Sequence, residues 1–376
     1  MAKTIWIMSG ETSGDIYGAG ISRELKTLDP SLTVKGMGGQ HMKAAGVDIL
    51  VDSTELGVMG LIEVLKVYPM FKRIFNQLLA QVTEERPDAV VMIDYPGFNR
   101  RFGEKLHALG IPVIWYICPQ VWAWKKWKIP TYARICTKML VIFPFEKDVF
   151  KGTGLDTEFV GHPLVEELAD APRPAKRDEK QILLLPGSRM SEVGRLLGPM
   201  LETAIILQKQ DPTLRFTIVT PRKSVKEVID ADLPSYRERC PELNVEVIDG
   251  VATDYMGGAD AGIAASGTVT VQAALMGLPL VSTYKMHALT YAIASRLVKL
   301  DHFTMVNIVS RKEVYEEFLQ KEVIPEDLAP ALKRIMTGGE RRAEQEADLQ
   351  SVVELLGGKL PALRRAAQAI LEVVEK

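Results

Sequence analysis

An α/β protein built from two parallel-sheet domains is what this sequence predicts, on three observations. Its 376 residues fit two domains at roughly 150 residues each. Short β-branched or apolar runs recur between amphipathic stretches, at residues 4–8, 89–93, 113–117, 139–143, 182–185, 215–219, 245–248, 261–265 and 280–283. Runs that are apolar on both faces belong to sheets covered by crossover helices. Third, residues 169–180 combine prolines with charge and have little to bury, so they read as a linker between two similar halves.

Composition narrows the class further. With 47% hydrophobic and 25% charged residues, the chain can fill two cores, and disorder as the main theme is excluded. Against 46 Lys and Arg stand 48 Asp and Glu, so no overall basic field exists and the simplest nucleic-acid binder is excluded. Cys118, Cys136 and Cys240 are too widely spaced for a disulfide framework or a zinc site, which points to a reducing compartment. The first ten residues hold too short an apolar run for a secretion signal and read as the first strand. Stretches 106–124 and 261–284 lack Asp, Glu, Lys and Arg. Gly110, Pro112, Pro119, Gly262, Gly267, Gly277 and Pro279 cut them into shorter pieces, so no membrane-spanning helix is expected.

Taken in order, the polar motifs each follow a predicted strand, and in open parallel sheets ligands bind beyond the carboxyl ends of the strands. After residues 4–8 comes Ser9-Gly10-Glu11-Thr12-Ser13-Gly14-Asp15. This Gly-rich helix entry suits an acidic or hydroxylated ligand, and it equally suits a plain cap by Ser13 and Asp15. It matches neither the dinucleotide nor the P-loop fingerprint. After residues 89–93 comes Asp94-Tyr95-Pro96-Gly97-Phe98-Asn99, where Asp94 is placed to take a proton from a hydroxyl or to start a turn. His162, in Gly161-His162-Pro163 at the join of the halves, is a second proton carrier or a structural hydrogen-bonder. After residues 182–185 come Pro186, Gly187, Ser188 and Arg189, with peptide amides and a guanidinium that fit a phosphate. After residues 261–265 come Ser266, Gly267 and Thr268, leading to Gln272; two anion-type turns in one half suggest a diphosphate. His41, His107, His287 and His302 have no carboxylate or cysteine at metal spacing, and no metal site is expected.

One region differs in character. Trp122, Trp124 and Trp127 alternate with Lys125, Lys126 and Lys128, and an apolar segment carries Val58, Met59, Leu61, Ile62, Leu65, Tyr68, Met70 and Phe71. Residues 60–151 hold 14 Lys and Arg against 8 Asp and Glu, a local positive surplus. Aromatic rings beside lysines suit the boundary between acyl chains and anionic headgroups. The same residue types would stack on single-stranded nucleic acid, or fill a core behind a solvated lysine face. The tail, residues 329–376, has helical periodicity broken by Gly338-Gly339 and Gly357-Gly358. It should pack on the sheets or cross between domains, and exchange between two protomers is another arrangement those hinges allow.

Together these segments resemble the lipid-A-disaccharide synthase family of glycosyltransferases. The resemblance rests on residues 10–15, Val58-Met59-Gly60, Ile93-Asp94-Tyr95-Pro96 with Phe98-Asn99, Pro119-Gln120-Val121-Trp122-Ala123-Trp124, Phe143-Pro144-Phe145-Glu146, Gly161-His162, residues 184–189 and Ala265-Ser266-Gly267-Thr268. It implies a GT-B fold of two Rossmann-like domains facing across a cleft. Residues 1–168 would bind the acceptor and face the membrane, 169–340 would bind the UDP-sugar, and 341–376 would form helices packing back on the first domain or on a partner protomer. The implied donor is UDP-2,3-diacylglucosamine and the implied acceptor 2,3-diacylglucosamine 1-phosphate. The chain would work without cofactor or metal, at the inner face of the bacterial inner membrane, against phospholipid and not nucleic acid.

Carried over by residue, Asp94 is the implied base, with Asp15 and His162 as alternatives. Glu11, Thr12, Ser13 and Gly14 fall on the acceptor side. Arg189 meets the diphosphate, and Asn307 lies near the donor. Gly97 stands where some members carry a second acid, and Gln272 where a Glu often meets the ribose. Rival readings are another sugar-nucleotide enzyme of this fold, an epimerase or transferase, and a single-strand-binding module built on the tryptophans and lysines.

Overall fold

A computed structural model describes residues 3–54, 63–220, 222–298 and 300–376, the side chains of 63–68, 289, 293 and 294 excepted. The chain forms two compact units, Met1–Pro163 with Lys359–Lys376, and Leu164–Gly358.

The first unit is a seven-stranded parallel sheet of β1 (Thr4–Ser9), β2 (Thr33–Gly38), β3 (Asp48–Asp52), β4 (Ala89–Ile93), β5 (Val113–Tyr116), β6 (Lys138–Val141) and β7 (Asp156–Phe159), ordered β3-β2-β1-β4-β5-β6-β7. Ile5, Trp6, Ile7 and Met8 of β1 are fully buried, as is nearly all of β4, which is why these strands read as unbroken apolar runs. Strand order reverses between β1 and β4, the place where ligands bind in such sheets. The register pairs Ile5 with Ala89 and Ser9 with Ile93, so Gly10 and Asp94 leave the sheet side by side.

Of the strands that the sequence did not reveal, β2 and β7 hid for opposite reasons. In β2, Gly36 (φ 147°) lies where a Cβ would overlap the Ile7 carbonyl oxygen, so close strand approach demands the residue that weakens the strand signal. In β7, Asp156 and Glu158 look like loop residues, but both pair with the buried Lys138 ammonium, at 3.4 and 3.0 Å. Glu372, on the helix Ala362–Val374, completes that cluster at 3.1 Å, and Lys3 Nζ donates to the Val374 carbonyl at 2.9 Å. Burial pulls the Lys138 ammonium down, but the Glu158 and Glu372 carboxylates outweigh it and hold the group above its ordinary value. The last helix thus docks on its own first unit, packing against the helix Thr12–Leu28.

The second unit has six parallel strands, β8 (Asp178–Leu185), β9 (Arg215–Thr220), β10 (Val245–Asp249), β11 (Ala259–Ala265), β12 (Leu280–Tyr284) and β13 (Glu316–Leu319), ordered β10-β9-β8-β11-β12-β13. One face buries Ile182, Leu184, Phe216, Ile218 and Ile263 beneath the helices Met190–Gln210, Lys223–Arg239 and Pro325–Ile335. The reversal here lies between β8 and β11, whose register pairs Ala264 with Leu185. The turns beginning at Pro186 and Ser266 therefore emerge together.

The division differs from the expected one. The chain leaves the first unit after Pro163 and returns at Lys359, so the helix Arg342–Leu355 stays with the second unit and only residues 359–376 belong to the first. Nor is 169–180 a free linker. Arg177 donates to the carbonyls of Met256, Ala259, Met276 and Gly277, and Arg173 to those of Leu168 and Leu275. Low apolar content misled because guanidinium donors, rather than buried side chains, fasten this segment. Among the described residues, no helix is long and apolar enough to cross a membrane.

Candidate functional site

In the first unit a small pocket opens at the β1/β4 reversal, lined by Ser9, Glu11, Ser13, Asp94, Tyr95 and Ile117, among others. The glycines are there for proximity. A Cβ on Gly10 would overlap the Tyr95 ring, and one on Gly14 would press the Ser9 hydroxyl. Ser9 Oγ donates to the Glu11 carbonyl at 3.0 Å, which shapes the turn. No side chain caps the helix Thr12–Leu28, so the cap reading of Ser13 and Asp15 fails.

Asp15 has a different employment. Its carboxylate accepts from the peptide N–H groups of Gly39 (2.6 Å), His41 (2.9 Å) and Met42 (3.1 Å), holding the start of the helix Gln40–Ala44. A buried carboxylate so occupied is structural, which removes Asp15 from the candidate bases. His162 is removed as well. Burial pushes its imidazole down to about 3, and the ring lies on Phe143 with centroids 5.1 Å apart. It is neutral at physiological pH and too weak a base to hold a proton there.

Asp94 lines the pocket at the end of β4. Burial, then the Glu11 charge, push its carboxyl up to about 6, against a smaller opposing pull from the Tyr95 peptide N–H. Such a group is ionised at neutral pH yet basic enough to take a proton from a hydroxyl. Burial raises the Tyr95 phenol for the same reason.

In the second unit, the turn after β8 holds an anion site occupied by the protein itself. Glu192, in the first turn of the helix Met190–Gln210, accepts from the Ser188 N–H at 3.2 Å and the Arg189 N–H at 3.4 Å. The Arg189 guanidinium meets the same carboxylate at 2.8 Å. Gly187 (φ 107°) makes room, since a Cβ there would collide with that carboxylate. Glu192 was not anticipated, although a Glu three residues into a helix is a recognisable capping signal.

After β11, Ser266 donates its N–H to the Thr283 carbonyl at 2.8 Å, while Gly267 and Thr268 lie exposed at the uncapped start of the helix Thr268–Leu275. Gln272 is half-buried on that helix. Asn307 is a correction. It is fully buried, with its Nδ2 donating to the Tyr315 carbonyl at 2.7 Å and its Oδ1 accepting from the Tyr315 N–H at 2.9 Å. Both ends of the amide are spent on the fold, so it is not a donor contact. Glu317, also missed, accepts from the N–H groups of Phe303 and Thr304 and so shapes the segment before the helix Met305–Ser310.

The tryptophans divide between core and surface. Trp122 is 9% exposed and donates through Nε1 to Glu146 at 3.2 Å; burial pushes that carboxyl up to about 8. Trp127 is 68% exposed, and Lys125 Nζ sits 3.3 Å from the centre of the Trp124 ring. Lys126 is exposed, and Lys128, Met70 and Phe71 are partly so. Val58, Met59, Leu61 and Ile62, and the side chains of Leu65 and Tyr68, lie outside the described residues. Among the described residues, no group of three or more His, Cys, Asp or Glu is arranged to hold a metal ion.

Comparison with known proteins adds three findings. A family model described as lipid-A-disaccharide synthetase matches residues 5–373. The chain is similar to the lipid-A-disaccharide synthase of Trichlorobacter lovleyi, 41% identical over 100% of this chain and 98% of the relative. It is also similar to that of Myxococcus xanthus, 35% identical over 98% and 97%. Among solved structures, it resembles the glycotransferase of kitacinnamycin (TM-score 0.66, 17% identity, covering 99% of both chains). It also resembles MnaA of S. aureus in a co-structure with UDP (TM-score 0.66, 12% identity, covering 100% of this chain and 98% of the other). These structural likenesses carry the fold, a GT-B arrangement of two Rossmann-like domains.

Proposed function

The chain belongs to the lipid-A-disaccharide synthetase family, and from that premise we propose that it is an inverting glycosyltransferase. It joins UDP-2,3-diacylglucosamine to 2,3-diacylglucosamine 1-phosphate, giving the β-1′,6-linked disaccharide 1-phosphate and UDP. The observation that carries the reading is Asp94, raised to about 6 at the strand-order reversal of the first unit.

In this mechanism Asp94 takes the proton of the acceptor 6-hydroxyl as its oxygen attacks the anomeric carbon from the face opposite UDP, which inverts that carbon in one displacement. Glu11, Thr12, Ser13 and Gly14 form the acceptor wall. Negative charge grows on the departing diphosphate, where the Arg189 guanidinium, the peptide amides of Gly187 and Ser188, and the helix start at Ser266, Gly267 and Thr268 stabilise it. Gln272 is placed to meet the ribose hydroxyls. Charge stabilisation comes from these groups, so no metal or cofactor enters the proposal.

The diphosphate must then take the Ser188 and Arg189 donors from Glu192. Glu192→Gln keeps the helix cap and removes a like charge worth about 1 kcal/mol, so UDP should bind roughly fivefold tighter by calorimetry. Unchanged or weaker binding would place the diphosphate elsewhere.

Acylated substrates require a lipid surface, and the exposed Trp127 with Lys125, Lys126 and Lys128 supports reversible attachment to anionic phospholipid. Changing Trp127 and Met70 together to Gln should abolish flotation with anionic vesicles; undiminished flotation would reassign the membrane face. Transfer itself is tested by incubating the protein with both substrates and reading the products by mass, with the anomeric configuration by NMR. Absence of the disaccharide, or an α-linked product, contradicts the reading.

A further inference from the structure

Backbone strain gathers at one place in the first unit. Among the described residues, six non-glycine residues have positive φ, and three of them, Asp94 (42°), Tyr95 (49°) and Ile117 (69°), border the pocket at the ends of β4 and β5. Left-handed backbone crowds the Cβ of an L residue against the following carbonyl, and two such residues in succession persist only where neighbours over-determine them.

Asn99 is that neighbour. It lies fully buried on the helix Pro96–Ala108. Its Nδ2 donates to the Ile93 carbonyl at 3.3 Å and the Asp94 carbonyl at 2.9 Å, and its N–H donates to the Tyr95 carbonyl at 3.0 Å. One residue therefore takes up three successive carbonyls, while the Asp94 N–H is tied to the Tyr116 carbonyl at 3.0 Å. Both peptide planes flanking Asp94 are fixed, and its carboxylate keeps only its own side-chain rotations.

The other end of the amide shows what this arrangement gives up. Among the described residues, Asn99 Oδ1 is buried without a hydrogen-bond partner, a loss of stability that native structures rarely tolerate without a reason. The two-donor NH2 supplies the reason. An Asp at this position would set carboxylate oxygens against two carbonyl oxygens, and a Ser hydroxyl has a single donor on a shorter arm.

We propose that Asn99 is a positioning residue whose amide holds the Asp94–Tyr95 turn in its left-handed form and so fixes the direction of the Asp94 carboxylate. The effect on turnover rests on the transferase reading; the effect on the carboxylate does not.

The test uses the full chain carrying Asn99→Ser or Asn99→Asp, with aspartate carboxyls labelled for NMR and Asp94→Asn identifying the Asp94 signal. In the parent protein the Asp94 carboxyl should titrate near 6. In the Ser variant the midpoint should fall toward the ordinary carboxylate range as the released turn lets the group reach water. In the Asp variant the added carboxylate opposes that fall, so the Ser variant's midpoint decides and the Asp variant is read by kcat. Transfer should lose about 100-fold in kcat, as expected for a misplaced reacting group, with KM for the UDP-sugar little changed. Should the Asp variant fail to fold, the Ser variant decides. A Ser variant that melts earlier but keeps the Asp94 midpoint and kcat would overturn the proposal and leave Asn99 a helix cap. A parent protein that makes no disaccharide sinks the transferase reading alone, because the titration still decides the role of Asn99.

Discussion

Asp94→Asn should lower transfer by about 1,000-fold, within the range for losing a general base, while UDP binding by calorimetry stays near the parent value. The split follows from where Asp94 sits, in the first unit among Ser9, Glu11 and Tyr95, whereas the proposed diphosphate donors belong to the second. Retained turnover would end its assignment as base, and since Asp15 is spent on peptide N–H groups and burial makes His162 a weak base, Glu11 would be examined next. A stability effect accompanies the change. A carboxyl raised to about 6 binds its proton more tightly folded than unfolded, so the parent protein loses stability as pH rises from the unfolded value, near 4, through the folded one. An amide carries no such penalty. Asp94→Asn should therefore melt above the parent at pH 8, with the difference shrinking toward pH 4; a variant less stable at pH 8 would contradict the burial argument.

Arg189→Ala should cost transfer about 100- to 1,000-fold, the loss seen when one donor to developing negative charge is removed. Arg189 is largely exposed and held by Glu192, so little of that loss can come from unfolding. Arg189→Lys should recover only part of it, because an ammonium keeps the charge but not the planar fork that grips a phosphate. A steady-state comparison of kcat/KM for the three proteins checks both statements, and a near-normal rate for the Ala variant would exclude the assigned role.

How much of this was legible depended on what each residue was doing. Strands buried on both faces, β4 and β11 above all, announce themselves as apolar runs, and the turns after them are recognisable because ligands belong there. Where polar groups do the fastening, the sequence is silent. Gly36 makes room for the Ile7 carbonyl, Lys138 gathers three carboxylates from β7 and the last helix, and Arg177 spans four carbonyls. None of these follows from periodicity. The site shows the same limit. Asp94 could be placed by its strand, but its left-handed backbone and the Asn99 clamp depend on contacts made only after folding. Asn307 misled because it was carried over from the family resemblance, and a matching polar residue does not show whether its amide is free or, as here, paired with the Tyr315 peptide.

The role of Asp94 as the base is tested most directly by the pH dependence of kcat/KM, which reports the free protein's groups, measured alongside residual turnover of Asp94→Asn. The acceptor phosphate titrates near pH 6 as well, so the difference between the two profiles carries the answer. The account predicts that the parent rate rises with unit slope below a midpoint near 6 and levels off above it, and that the variant lacks that ionisation. Superimposable profiles for the two proteins would contradict it.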